Sequence, residues 1–176
     1  MNLIISAFKG DAFNSIYYIL KSKPDNYMIL NIFDFKEDNL VMDALQFNRI
    51  TKLEDEMAMA YLNVISVNYL DFDKNVNQER LTIYLEKYIK DFKPKMIVYP
   101  HELSDSLHRR LIAKIINEIE EAKFEKRKYF AEDREIEVTP VNAVILNDKE
   151  LDRKKKISED CYKLNKLNIK QKEVIY

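Results

Sequence analysis

Gly10 is the only glycine in 176 residues, and that limits what the backbone can do for a ligand. Phosphate-cradling loops of the dinucleotide-binding and P-loop kinds place several glycines at fixed offsets, because the chain must approach a pyrophosphate closely and adopt positive φ angles. Neither motif can be built here. The lone cysteine, Cys161, likewise removes an internal disulfide and any zinc site made of several thiolates. A chain of this length buries roughly 70% of the surface its unfolded form exposes, so one domain over residues 1–176 with a sizeable core is expected. Charge is nearly balanced, 29 Lys+Arg against 30 Asp+Glu, which gives no net attraction to nucleic acid. Neither a secretory h-region nor an apolar run of about 18 residues is present. The expectation is a soluble, cytoplasmic protein with no membrane or nucleic-acid partner, for which a homo-oligomer is compatible.

The hydrophobic period alternates between strand and helix. Leu3, Ile4, Ile5, Ala7 and Phe8 form a near-continuous apolar run, the pattern of a strand buried on both faces. After the turn-like Lys9-Gly10-Asp11, residues Phe13, Ile16, Tyr17 and Leu20 fall at helical spacing, and Pro24 marks a stop. Residues 27–35 read as a second strand. Ile50, Leu53, Met57, Tyr61 and Leu62 predict the apolar stripe of a second helix, ending at Asn63, a residue that tolerates the left-handed conformation. Residues 64–70 predict a third strand. Asn77 can cap a helix with Leu81, Tyr84, Leu85, Tyr88, Ile89 and Phe92 on one face, closed by Pro94.

Residues 96–99 predict a fourth strand, and Ser104 or Asp105 can cap a helix with Leu111, Ile112, Ile115, Ile116 and Ile119 on its apolar face. Four β-then-α units in succession predict an α/β fold: a three-layer, Rossmann-like domain with a mainly parallel sheet. Residues 124–130 and 135–145 read as extended, and the chain returns to helix from Asn147. Arg153 with Lys154, Lys155 and Lys156 reads as a charged, solvated helix face.

In an open parallel sheet, ligands bind beyond the carboxyl ends of the strands. That singles out residues 8–11, 71–74 and 100–108. The two histidines, His101 and His108, both fall in the last group, and with Asp11 they make a mixed carboxylate and imidazole site. Each candidate also has an ordinary local role. Asp11 and Asp105 stand where helix N-caps stand, His108 is in the first turn of its helix, Arg49 opens a helix, and Cys161 has no evident activating partner.

Three segments carry a family resemblance. "IISAFKGDAF" resembles the first motif of the PIG-L (LmbE-like) N-deacetylases, an apolar strand followed by A-H-P-D-D-E. "FKPKMIVYPHELSDSLHRR" resembles their later strand and H-x-D-H-R motif, and "RITKLEDEMAMAYLNV" resembles their R-x-x-E helix ending in L-G-V, with Asn63 in the glycine's place. The resemblance implies a zinc ion held by a His and an Asp of the first motif and the last His of the second, with the other first-motif Asp as general base. Carried over, Phe8 stands where the His is expected, Gly10 where the base is expected, and Asp11 and His108 keep the two remaining metal positions. Asp105 replaces the His that assists the tetrahedral intermediate.

Catalytic zinc takes three protein ligands and an open position for water. The expectation is therefore a PIG-L-like domain with an eroded zinc centre and no cofactor: a binding or assembly protein. It would keep a cleft for a small polar or sugar-like ligand near Phe8, Lys9, Gly10, Arg49 and His101. The alternative is a zinc-dependent N-deacetylase acting on an amino-sugar derivative, with Asp105 as its catalytic group.

Overall fold

A computed structural model describes residues 1–34, 43–64, 66–73, 75–119, 124–131, 140–164 and 167–176. Strand β1 (Asn2–Ser6) leads into helix α1 (Asp11–Ser22), then β2 (Tyr27–Phe33), α2 (Ala44–Tyr61), β3 (Val67–Phe72), α3 (Gln78–Phe92), β4 (Met96–Pro100) and α4 (Leu107–Glu118). β5 (Glu125–Tyr129), β6 (Asn142–Ile145), α5 (Asp148–Cys161) and β7 (Lys172–Ile175) complete the described fold. The sheet has seven strands in the order β3-β2-β1-β4-β5-β7-β6. β1 to β5 are parallel, and β7 runs antiparallel to both β5 and β6. The connection reverses direction between β1 and β4, so the switch point of this Rossmann-like sheet lies where their carboxyl ends stand side by side.

Alternation along the strands divides the core into two layers. Leu3, Ile5, Ile97 and Tyr99 pack with Leu81, Leu85, Ile112 and Ile116 of α3 and α4. Ile4, Ile29 and Val98 pack with Phe13, Tyr17, Met59 and Ile157 of α1, α2 and α5. Strands apolar on both faces thus meet helices on both faces, the three-layer arrangement expected of the pattern. Asn63 adopts φ 60 just past α2, and Asn77 accepts from Glu79 and Arg80 backbone N–H groups at 2.8 and 3.4 Å. Among the described residues no helix is long and apolar enough to cross a membrane.

Several local expectations are corrected. The N-cap of α1 is Gly10, with Asp11 the first helical residue, and α4 is capped by the backbone of Ser106 rather than by Ser104 or Asp105. The predicted core stripe of α2 is largely outside: Leu53, Met57 and Tyr61 are exposed, while Thr51, Glu54 and Asp55 face inward. Polar partners decide this orientation. Glu54 accepts from the backbone N–H groups of Lys163 and Leu164, both at 2.7 Å, and Asp55 sits in the hydrogen-bond cluster described below. Lys154, read as part of a solvated face, is fully buried and donates to Glu173 at 2.7 Å and to the carbonyl of Asn14 at 2.6 Å. The extended reading of residues 135–145 holds for Asn142–Ile145; 135–139, like residue 35 and Lys74, lie outside the described residues.

Candidate functional site

Gly10 turns the chain from β1 into α1 at φ 88 and ψ −17, a left-handed conformation in which a side chain is costly. Its N–H donates to Asp55 Oδ1 at 2.9 Å. The turn aims Asp11 back across the strand end, where Oδ2 accepts from the Phe8 N–H at 3.2 Å. Arg109, one residue after His108, completes the arrangement. Its Nη2 and Nε reach the two Asp11 oxygens at 2.7 and 3.0 Å, a two-point ion pair in which the carboxylate side chain is 8% exposed. The guanidinium lies 5.4 Å over the Phe8 ring. His108 packs edge-on against Phe8 and Phe33, with ring centroids 5.6 and 4.8 Å apart. Phe8, Asp11, His108 and Arg109 therefore form one cluster at the switch point.

Lys9 points toward the carboxyl ends of β2 and β3. Its buried ammonium lies 3.4 Å from Asp34 Oδ1 and 3.6 Å from Asp71 Oδ1, and donates to the side-chain carbonyl of Asn48. Burial pushes the Asp34 carboxyl up from its ordinary range against the pull of Lys9. Asp55, beneath, receives four donors: Gly10 N–H and Tyr162 OH at 2.9 and 2.7 Å on Oδ1, Asn31 Nδ2 and Tyr69 OH both at 3.0 Å on Oδ2. Desolvation raises its carboxyl nonetheless. This one side chain ties the first turn, β2, β3 and the segment after α5 together. Neither Arg109 nor Asp55 was singled out by the sequence. The signal for Arg109 was its place beside His108 in the second motif; Asp55 carried none, because a helix carboxylate is ordinarily solvated.

The other predicted residues have partners of their own. His101 follows β4, stacks on Phe130 at 4.4 Å and meets Tyr176 edge-on at 5.7 Å. The Leu103 N–H donates to its Nδ1 at 3.1 Å, so that nitrogen serves as an acceptor. Glu102 Oε2 lies 3.6 Å from the same nitrogen, beyond hydrogen-bond distance. Asp105 is exposed, and its carbonyl accepts from Arg110 at 3.0 Å. Arg49 is exposed on α2, next to the Asn48 that binds Lys9.

As arranged, this cluster does not fit a zinc ion. Both oxygens of Asp11 accept from donors within the chain, and Phe8 offers no lone pair. Among the described residues no three His, Cys, Asp or Glu side chains are grouped to hold a metal. What the site does offer is a set of fixed polar groups around Lys9, Asp34, Asn48 and Asp71, donors and acceptors of the kind that match hydroxyls.

No protein-family model matches the chain, and no curated protein matches it. Solved structures do. The N,N'-diacetylchitobiose deacetylase of Pyrococcus horikoshii superposes with a TM-score of 0.70 at 13% identity, over 88% of this chain and 67% of that one. A triple mutant of a deacetylase from the teicoplanin biosynthetic pathway gives 0.67 at 14% identity, over 90% and 81%. GalB, the 4-carboxy-2-hydroxymuconate hydratase of Pseudomonas putida KT2440, gives 0.63 at 16% identity, over 93% and 79%. The chain thus has the fold of the PIG-L (LmbE-like) deacetylases, the family its motifs resemble. At these identities the likeness establishes the fold, and one of the three similar structures is named for a different reaction.

Proposed function

We propose that this is a PIG-L-like domain that binds a small polar or sugar-like ligand at the carboxyl ends of β1, β2 and β3, beside the switch point, without zinc-assisted hydrolysis. The observation that carries the reading is the Asp11–Arg109 ion pair: a guanidinium supplies the positive charge a metal would bring, and its donors take the oxygens a metal would need. Phe8 supports it by putting an apolar ring where the family's imidazole stands. The ligand would be held by Lys9, Asp34 and Asp71, whose alternating charge suits hydroxyl groups better than an anion. The second reading, a metal-dependent N-deacetylase of an amino-sugar derivative, is favoured by the deacetylases among the similar structures.

An acetate-release assay on N-acetylated amino sugars, with and without added zinc, separates the two. The expected result is no turnover by the natural chain, and recovery of zinc binding in Phe8→His combined with Gly10→Asp. That double variant is expected to lose some stability, since Asp at φ 88 costs about 1 kcal/mol or more. Zinc-dependent turnover by the natural chain, abolished by Asp11→Ala, would establish the deacetylase instead.

A further inference from the structure

Two carboxylates share one ammonium at the carboxyl ends of β2 and β3. Lys9 Nζ lies 3.4 Å from Asp34 Oδ1 and 3.6 Å from Asp71 Oδ1, and its side chain is 4% exposed against 24% and 34% for the two acids. The cation is thus enclosed, and the acids form the open side of the site. Among the described residues neither carboxylate has a further hydrogen-bond or ion-pair partner, so the second oxygen of each is open to a ligand. Arg49 and Lys52, the cations that follow Asn48 on α2, pair with neither acid; Lys52 lies over the Tyr69 ring, 4.6 Å from its centroid. The cluster therefore carries one negative charge in excess. Asp34 registers it: burial pushes its carboxyl up, Lys9 pulls it back, and Asp71 and Asp73 raise it further.

We infer that the ligand of this site carries an ammonium group beside a hydroxyl, as amino alcohols do. The ammonium binds the open oxygens of Asp34 and Asp71 and cancels the excess charge, through charge-assisted hydrogen bonds that are roughly twice as strong as neutral ones. A neutral polyol makes the same contacts without that gain, and an anion meets like charge. The neighbouring hydroxyl is matched by Asn48. Its side-chain carbonyl accepts from Lys9, which fixes its Nδ2 as a donor, and that donor has no acceptor among the described residues. The inference rests on the proposed reading of these residues as the ligand's site, and it adds the charge of the ligand.

A matched pair of probes tests it on the full chain. Sorbitol and glucamine differ only in one terminal group, a hydroxyl in the first and an ammonium in the second at neutral pH. Each is titrated at fixed ionic strength while the backbone amide signals of Lys9, Asp34 and Asp71 are followed by NMR. Glucamine should saturate those shifts at a concentration about tenfold below that of sorbitol, the ratio that one charge-assisted hydrogen bond supplies. Asp34→Asn and Asp71→Asn should each bring the two probes to within a few-fold of one another, whereas Asp91→Asn, exposed on α3, should leave the ratio as it is. Both site variants keep an oxygen that accepts from Lys9, and the amide spectrum itself reports whether they fold. Equal affinity for the two probes would overturn the inference and leave the hydroxyl reading standing. A preference for glucamine that survives in both Asn variants would overturn it as well, and shifts from neither probe would overturn the site together with the inference.

Discussion

Asp11 owes its position to the left-handed turn at Gly10 and its charge partner to Arg109, which reaches it through two hydrogen bonds. The resemblance made Asp11 legible as a site residue, and local pattern made it legible as a helix start. Neither could reveal the ion pair, because Arg109 lies 98 residues away in the chain and an arginine in a first helical turn has no compositional mark of being buried. Asp55 is the clearer case of a residue defined by its neighbours. Asp55→Ala would leave the Gly10, Asn31, Tyr69 and Tyr162 donors unpaired, an expected loss of about 3–5 kcal/mol in urea unfolding.

Asp55→Asn should cost less than half of that. The Asn31 side-chain oxygen has no partner among the described residues, so it can accept from the new amide once its own amide turns over. The two variants also differ with pH. Burial raises the Asp55 carboxyl above its ordinary 3.8, so the folded chain binds this proton more readily than the unfolded chain. Its contribution to stability is fullest below 3.8 and is lost as pH rises through the raised value. Urea midpoints from acid to neutral pH should show that slope in the natural chain and lack it in Asp55→Asn.

Among the elements, helices whose inner face is apolar were read correctly and those with buried charge were not. α4 shows the first case, with Ile112, Ile115 and Ile116 buried as their spacing predicts. α2 shows the second: its most apolar ridge is the outer one, and period alone cannot tell which face has partners for Glu54 and Asp55. α5 repeats the lesson. Lys154 sits in a basic run yet is enclosed by the Asn14 and Lys170 carbonyls and Glu173. Burial lowers its ammonium and raises the Glu173 carboxyl, each against the pull of the other. Lys154→Met would leave Glu173 buried without its cation, at an expected cost of about 3–5 kcal/mol. Adding Glu173→Gln should recover part of it, which thermal melts of the single and double variants can read.

At the scale of the whole molecule, the parallel part of the sheet was legible because β1 to β4 are each followed by a helix and connections of this kind are right-handed and local. β7 was not: the run Lys172-Glu173-Val174-Ile175 is four residues long and half charged, and only pairing with β5 and β6 makes it a strand. The layered fold, shared with the similar solved structures, brings residues 8–11 and 101–109 of this chain to neighbouring strand ends. It does not choose the chemistry, which rests on the side chains at the switch point. On the proposed reading these side chains, with Arg109 on Asp11, leave no zinc site. The most direct test is the zinc content of the protein purified without chelator, read with its melting temperature on zinc addition. The account predicts well under one zinc per chain and no shift in melting temperature, whereas zinc at about 100 times its dissociation constant would add about 2.7 kcal/mol. One tightly held zinc per chain, lost in Asp11→Ala, would contradict it.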